Sequence, residues 1–310
     1  MLLNTIKKLE CQLIKTIYIN YGFSPESIIL IKSYPEFVYK VNYKNSKFIL
    51  KILKKDKIDI ERINFIKFIQ KSIEIPKILL NYNNKLYSEL HFDEYKLFFY
   101  LQYFIEGTVI NYENNNNAIK YGRELSLIHI KSMNYRKHYA EVDIFKECIE
   151  ELECILEILK PINKKAYYSF NTILIFFKEK SLESIYYENL IFIHGDTHGG
   201  NAILAKKIYF IDWDDSKLYD KYYDISCFYW MCITLNKMNL WNLFCNGYQE
   251  NYPINYTQNK NKIFKMSILK DLKVFKYYLE YSQMIGSDLI KDIYITKRYN
   301  FIKNLIDQII

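Results

Sequence analysis

The chain is poor in the residues that interrupt backbones: its 310 residues include only eight glycines and five prolines. That scarcity leaves no linker long enough to suggest a third domain. The segment Ser33-Tyr34-Pro35-Glu36-Phe37 has no glycine at all, so phosphates cannot be cradled there by a glycine-rich turn. Six cysteines, at 11, 148, 154, 227, 232 and 245, form no CxxC pair and no regular framework. Reduced, mostly buried thiols in a cytoplasmic protein are expected. No apolar run approaches ~18 uncharged residues, the minimum for a spanning helix, so no membrane partner is expected. The opening MLLNTIKKLECQLIK carries lysines inside its apolar stretch and no small-residue cleavage site, and does not read as a signal peptide. The net charge is +8, yet no block of five like charges occurs. A basic nucleic-acid tail is thereby disfavoured, and a nucleoside triphosphate suits the sign of the charge.

What the chain has is a large apolar fraction, 50%, with 25% charged residues, the balance of a globular protein with a substantial core. Leu3, Ile6, Leu9, Leu13, Ile14 and Ile17 recur at spacings of three and four, which predicts an amphipathic helix over 3–20. The period then changes to two: Phe37, Tyr39 and Val41 share one face, and two strands joined by a turn at 43–46 are expected. Residues 57–73 return to helical spacing up to Pro76, and strand-like runs follow at 85–89 and 96–104. These elements make a small α+β lobe. After Phe104 the pattern is helical at 118–133, 142–159 (stopped by Pro161), 167–182, 221–249 and 261–308. The expected organisation is two parts, 1–104 and 105–310.

The helical part is broken by one stretch, 191–215, IFIHGDTHGGNAILAKKIYFIDWDD, with four aspartates, one asparagine, two histidines and three glycines. An apolar run from Leu190 to Ile193 ends at His194, a polar loop carries Asp196 and Asn201, and two short runs, 202–204 and 208–211, lead to Asp212. Strand, loop, hairpin, acid is the simplest reading. It would bring three oxygen-bearing side chains to one end of a small sheet, where a hard cation such as Mg²⁺ and a phosphate could be held.

HGDTHGGNAIL followed by IDWDD resembles the catalytic loop and metal-binding acid of the aminoglycoside phosphotransferase and choline kinase superfamily, whose fold is similar to that of protein kinases. His194, Asp196 and Asn201 stand at H-x-D-x-x-x-x-N spacing, with Asp212 after the next strand-like run. The resemblance implies a two-lobed fold, with a small N-terminal lobe built on an antiparallel sheet and a larger, mainly helical C-terminal lobe. It implies Asp196 as the group that accepts or orients the proton of an attacking hydroxyl, and Asn201 and Asp212 as ligands of Mg²⁺. His198 stands where protein kinases carry a lysine that approaches the transferred phosphate. By the same resemblance Lys51 would meet the α and β phosphates of ATP or GTP, Glu61 would fix Lys51, and the nucleotide would lie between the lobes with its base near Gln102 to Phe104. His194 reads as structural, buried and hydrogen-bonded to backbone.

Gly195 occupies the place of an arginine that, in many regulated protein kinases, pairs with a phosphorylated activation loop. Only about ten residues separate Asp212 from the next helix, which disfavours a peptide-docking segment and favours a small hydroxylated acceptor. Asp214, Asp215, Asp220 and Asp224 could receive a cationic acceptor such as an aminoglycoside or a choline-like amine. Asp224 opens an apolar helix, where an acid caps free N–H groups and suits the dipole. Two other readings remain open: a bacterial Ser/Thr protein kinase of the same fold, and a non-catalytic relative of the spore-coat type.

Overall fold

The computed structural model describes residues 2–33, 36–53, 60–112, 114–135, 138–180, 186–282, 286 and 291–309. It divides into two compact units, Met1–Thr108 with Ile203–Ile211, and Val109–Ala202 with Asp212–Ile310. The break follows Thr108, where the sequence reading placed it after Phe104, and 203–211 joins the first unit.

The first unit begins with α1 (Leu2–Tyr21) and continues through β1 (Ser27–Lys32), β2 (Val38–Tyr43), β3 (Ser46–Leu53), α2 (Ile60–Ile69), β4 (Ser88–Phe92) and β5 (Tyr95–Tyr103). The strands form one antiparallel sheet in the order β1-β2-β3-β5-β4. Alternation sets its faces. Tyr39 and Val41 on β2, and Phe48 and Leu50 on β3, pack with Leu9, Leu13 and Ile17 of α1. Each such side chain contributes on the order of 1.5–3 kcal/mol when fully buried. The middle of β5, Phe98 to Leu101, is buried throughout because its other face meets Leu53, Ile78 and Tyr87. The sequence pattern anticipated the hairpin of β2 and β3, turned at Lys44 with φ +51°, and β1 joins them as a third strand by pairing with β2. Ile58, part of the expected 57–73 helix, lies outside the described residues.

After β6 (Thr108–Val109) come α3 (Asn116–Ser132), β7 (His138–Val142), α4 (Ile144–Ile162), α5 (Lys164–Lys180) and β8 (Tyr186–Ile193). β9 (Ala202–Leu204) and β10 (Ile208–Phe210) follow, and Lys207 and Tyr209 reach Glu74 at 3.4 and 3.2 Å within the first unit. The chain then continues through β11 (Lys217–Tyr219), α6 (Tyr222–Thr234), α7 (Asn239–Gln249), α8 (Tyr256–Glu280) and α9 (Asp292–Ile309).

In the second unit β7, β8 and β11 form an antiparallel sheet that the sequence pattern showed only as the apolar end of β8. α4 runs through Pro161 instead of stopping before it, since a single proline in the last turn removes little of the hydrogen-bond ladder. Asn163 then ends α4 and opens α5, its Oδ1 accepting from the Ala166 N–H at 2.9 Å. The run 221–249 divides into α6 and α7, and 261–308 into α8 and α9. α3 and α7 approach closely: a Cβ on Gly247 would lie 1.9 Å from the Ile119 carbonyl oxygen, and one on Gly122 2.1 Å from that of Phe244.

Candidate active site

β8 delivers a buried run, Leu190 to Ile193, into His194 and the polar loop that follows. Backbone of that loop is held from α6. The Asp224 carboxylate, fully buried, accepts the His194 N–H through Oδ2 and the Gly195 N–H through Oδ1, each at 2.8 Å. His129 of α3 adds its Nε2 to Asp224 Oδ2 at 3.1 Å, and its Nδ1 meets the Tyr248 hydroxyl at 2.7 Å. The Thr197 hydroxyl donates to the Asp224 carbonyl at 2.7 Å, and the Tyr121 hydroxyl to the Thr197 carbonyl at 2.6 Å. Charge-assisted bonds of this kind inside a core are short and strong, so the loop is fixed from beneath. This corrects the reading of Asp224 as the cap of its own helix. Just before that helix, the Asp220 Oδ1 accepts the Tyr222 N–H at 2.8 Å.

On this frame Asp196 meets nitrogen donors on both carboxylate oxygens. Oδ1 bonds to the Lys270 ammonium of α8. Oδ2 accepts from Asn201 Nδ2 at 3.0 Å, and His198 Nε2 lies 3.5 Å from it. Asn201 Nδ2 also reaches the Asp196 carbonyl at 3.0 Å. The Gly200 N–H donates to His198 Nδ1 at 2.9 Å, which leaves the ring proton on Nε2, facing Asp196. Burial by itself raises the Asp196 carboxyl, but the Lys270 charge, followed by His198, outweighs it and holds the group well below the ordinary carboxylate range. Lys270 is pushed down by burial and raised further by Asp196, so it stays an ammonium. His194 is fully buried, its Nδ1 accepting from the Asp196 N–H at 3.3 Å and its ring 4.6 Å from that of the buried Trp213.

Asn201 spends its amide N–H₂ on Asp196, so its Oδ1 is the atom left to face a cation. Asp212 ends the β10 segment at φ +63°, a left-handed backbone that aspartate tolerates better than most residues. Among the described residues no three His, Cys, Asp or Glu side chains gather into a metal cage. One amide oxygen and one carboxylate fit Mg²⁺, which takes few protein ligands and completes its shell with water and phosphate. Beyond Asp212 the chain returns at once to the sheet: the Ser216 hydroxyl donates to the Ile193 carbonyl at 2.7 Å, and β11 pairs with β8. Asp215, exposed on this turn, has its carboxyl pushed up, first by partial loss of hydration and then by Asp196.

In the first unit Lys51 is buried on β3, and a carboxylate bonded to it, at 2.9 Å, belongs to Glu36 in the glycine-free loop. Glu61, expected from sequence to fix Lys51, stands in the first turn of α2. Gln102 is half-buried near the end of β5, and the Phe104 N–H donates to the Lys47 carbonyl at 3.0 Å. Lys270 was also missed. Its signal was a charged pair, Lys270-Asp271, set inside the apolar run MSILKDL of a helix.

Residues 177–256 match the model of the phosphotransferase enzyme family, and no curated protein matches the sequence. Many solved structures share the fold, three small-molecule kinases among them. An amicoumacin kinase in complex with AMP-PNP, Ca²⁺ and Ami is 16% identical, with TM-score 0.75, over 99% of this chain and 96% of that one. Spectinomycin phosphotransferase with ADP and spectinomycin is 17% identical, with TM-score 0.65, over 95% of this chain and 93% of that one. A microcompartment-associated aminopropanol kinase is 13% identical, with TM-score 0.63, over 95% of each chain.

Proposed function

We propose a function from the premise that this chain belongs, in fold and in its catalytic segment, to the aminoglycoside phosphotransferase and choline kinase superfamily: it moves the γ-phosphate of ATP or GTP to a hydroxyl of a small molecule. The observation that carries this reading is Asp196, an ionised carboxylate on an immobilised loop with Asn201 turned against it. The acceptor hydroxyl lies against Asp196. Its oxygen bonds to the γ-phosphorus as the bond from phosphorus to the bridging oxygen breaks, and a nucleoside diphosphate leaves. The transition state is loose, so little proton transfer is needed early. A carboxylate of such low basicity orients the hydroxyl first and takes its proton late.

Asn201 and Asp212 would hold Mg²⁺, whose chemistry is to neutralise charge on the phosphates. Lys51 would meet the α and β phosphates, which replace the Glu36 carboxylate on its ammonium, and Glu61 of α2 would fix Lys51. Gln102 and Phe104 would contact the base, and His198 the transferred phosphate. A small acceptor is supported by the short return from Asp212 to β11, which leaves no segment for docking a peptide. The similar kinases are named for amicoumacin, spectinomycin and aminopropanol, and a hydroxylated, aminated acceptor follows from that likeness.

The test is transfer of labelled γ-phosphate from ATP and from GTP to a panel of hydroxylated small molecules, antibiotics included, and to a protein mixture. Label on a small acceptor, lost about 10²–10⁴-fold in Asp196→Ala, is the expected result. Label on proteins alone, or full activity in Asp196→Ala, overturns it.

A further inference from the structure

Lys270 stands in the core of α8, with Leu269 and Leu272 fully buried on either side of it, and is itself 8% exposed. A lysine is rarely so buried unless a paired charge repays its lost hydration. Here the pair is Asp196, the residue given the central part in the proposed reaction. The remaining donors to that carboxylate, Asn201 and His198, sit on its other oxygen. An ammonium group arriving beside Asp196 would therefore find Oδ1 already matched to a charge fixed by the fold. The Asp196 lone pairs left over can accept a hydroxyl, which brings no charge.

We propose that Lys270 is a built-in counter-ion that positions Asp196 and pre-empts the ammonium of an aminated acceptor, so that the hydroxyl reaching Asp196 is one without an amine on the adjacent carbon. The inference rests on the reading of Asp196 above and narrows its acceptor: an amine, if the acceptor carries one, is read away from the reacting hydroxyl. Asp215 lies near enough to feel the charges of both Asp196 and Lys270. Lys270 is a positioning residue here, acting through Asp196.

The test exchanges the fixed cation for a free one. Lys270→Ala removes the ammonium and leaves room beside Asp196 for methylammonium or ethanolammonium. Thermal unfolding of wild type, Lys270→Ala and the Lys270→Ala/Asp196→Asn double variant is followed against each chloride, with sodium chloride at equal ionic strength as control. Lys270→Ala is expected to be stabilised saturably by both amines, with half-saturation at least about tenfold lower than any response of the wild type. The double variant is expected to respond as it does to sodium. Equal responses of all three proteins, or wild type stabilised by ethanolammonium as strongly as Lys270→Ala, overturn the proposal. Should Lys270→Ala not fold in sodium buffer, recovery on refolding in methylammonium supports it, and failure in both salts overturns it.

With an acceptor from the panel, Lys270→Ala is expected to lose about 10²-fold in kcat with little change in KM for nucleotide, because a displaced base costs orientation and not nucleotide binding. Methylammonium is expected to restore part of that loss and sodium none. Amine-dependent stabilisation without phosphotransfer to any acceptor would leave the counter-ion standing and remove the kinase reading instead.

Discussion

Gly195 shows how narrowly the candidate loop is built. Its backbone has φ +87°, and a Cβ placed there would lie 2.1 Å from the Asp215 carbonyl oxygen, so a side chain is refused both by conformation and by space. The same residue donates its N–H to Asp224, one peptide before Asp196. Gly195→Ala must therefore shift either the Asp215 turn or the loop. A shift of about 1 Å at this point is enough to cost about 10²-fold in activity. The expected outcome is that loss with nucleotide binding retained, checked by steady-state phosphotransfer beside calorimetric nucleotide titration. Unchanged turnover would mean that the loop carries no strict geometry. A glycine that reads in sequence as the absence of a kinase arginine is, in the fold, a position that no side chain can occupy.

At the scale of elements, α6, α8 and α9 are joined by a second buried acid. The Asp271 carboxylate of α8 accepts the Trp230 indole N–H of α6 at 2.7 Å and an Arg298 N–H of α9 at 2.6 Å, both through Oδ1. Its Oδ2 is buried with no partner among the described residues. Burial outweighs the Arg298 charge and lifts this carboxyl from its ordinary 3.8 to about 6. A raised native pKa means that the folded state holds the proton more tightly than the unfolded one. The contribution is thus fully present below pH 4 and is lost as pH rises through 6. From pH 7.5 to pH 5 the wild type should gain about 1.4 kcal/mol relative to Asp271→Asn, whose side chain does not titrate. Urea unfolding of both proteins across that range measures the difference, and parallel curves would dismiss the assignment. The element itself was legible, since α8 follows an apolar period, but the bond across three helices was not: Trp230, Asp271 and Arg298 are far apart in sequence.

Over the whole molecule, what could be read in advance is what depends on neighbours in sequence. The pairing of β2 with β3 and the His194 to Asn201 spacing are local, and α1 declares its buried face at Leu9, Leu13 and Ile17. β7, Glu36 and Lys270 escaped because their meaning lies in a partner elsewhere: β7 is a strand through β8, Glu36 is placed by Lys51, and Lys270 by Asp196. One lysine among many carries no local mark of burial. The cysteines follow the same division, expected from sequence as reduced and mostly buried without any statement of which. All six are free: Cys148, Cys227 and Cys232 are buried, Cys245 is intermediate, and Cys11 and Cys154 are exposed. Burial pushes the Cys227 and Cys232 thiols up to about 12, and the thiolate is the reactive form. At pH 8 such thiols are ionised to only about one part in 10⁴, against roughly a quarter for an ordinary thiol near 8.5. Iodoacetamide should therefore alkylate Cys11 and Cys154 first, with Cys227 and Cys232 at least about 10³-fold slower, read by peptide mass spectrometry over time. In denaturant all six should react alike. Labelling of Cys227 in step with Cys154 in the native protein would mean that α6 is not packed against the catalytic loop as tightly as the Asp224 bonds require.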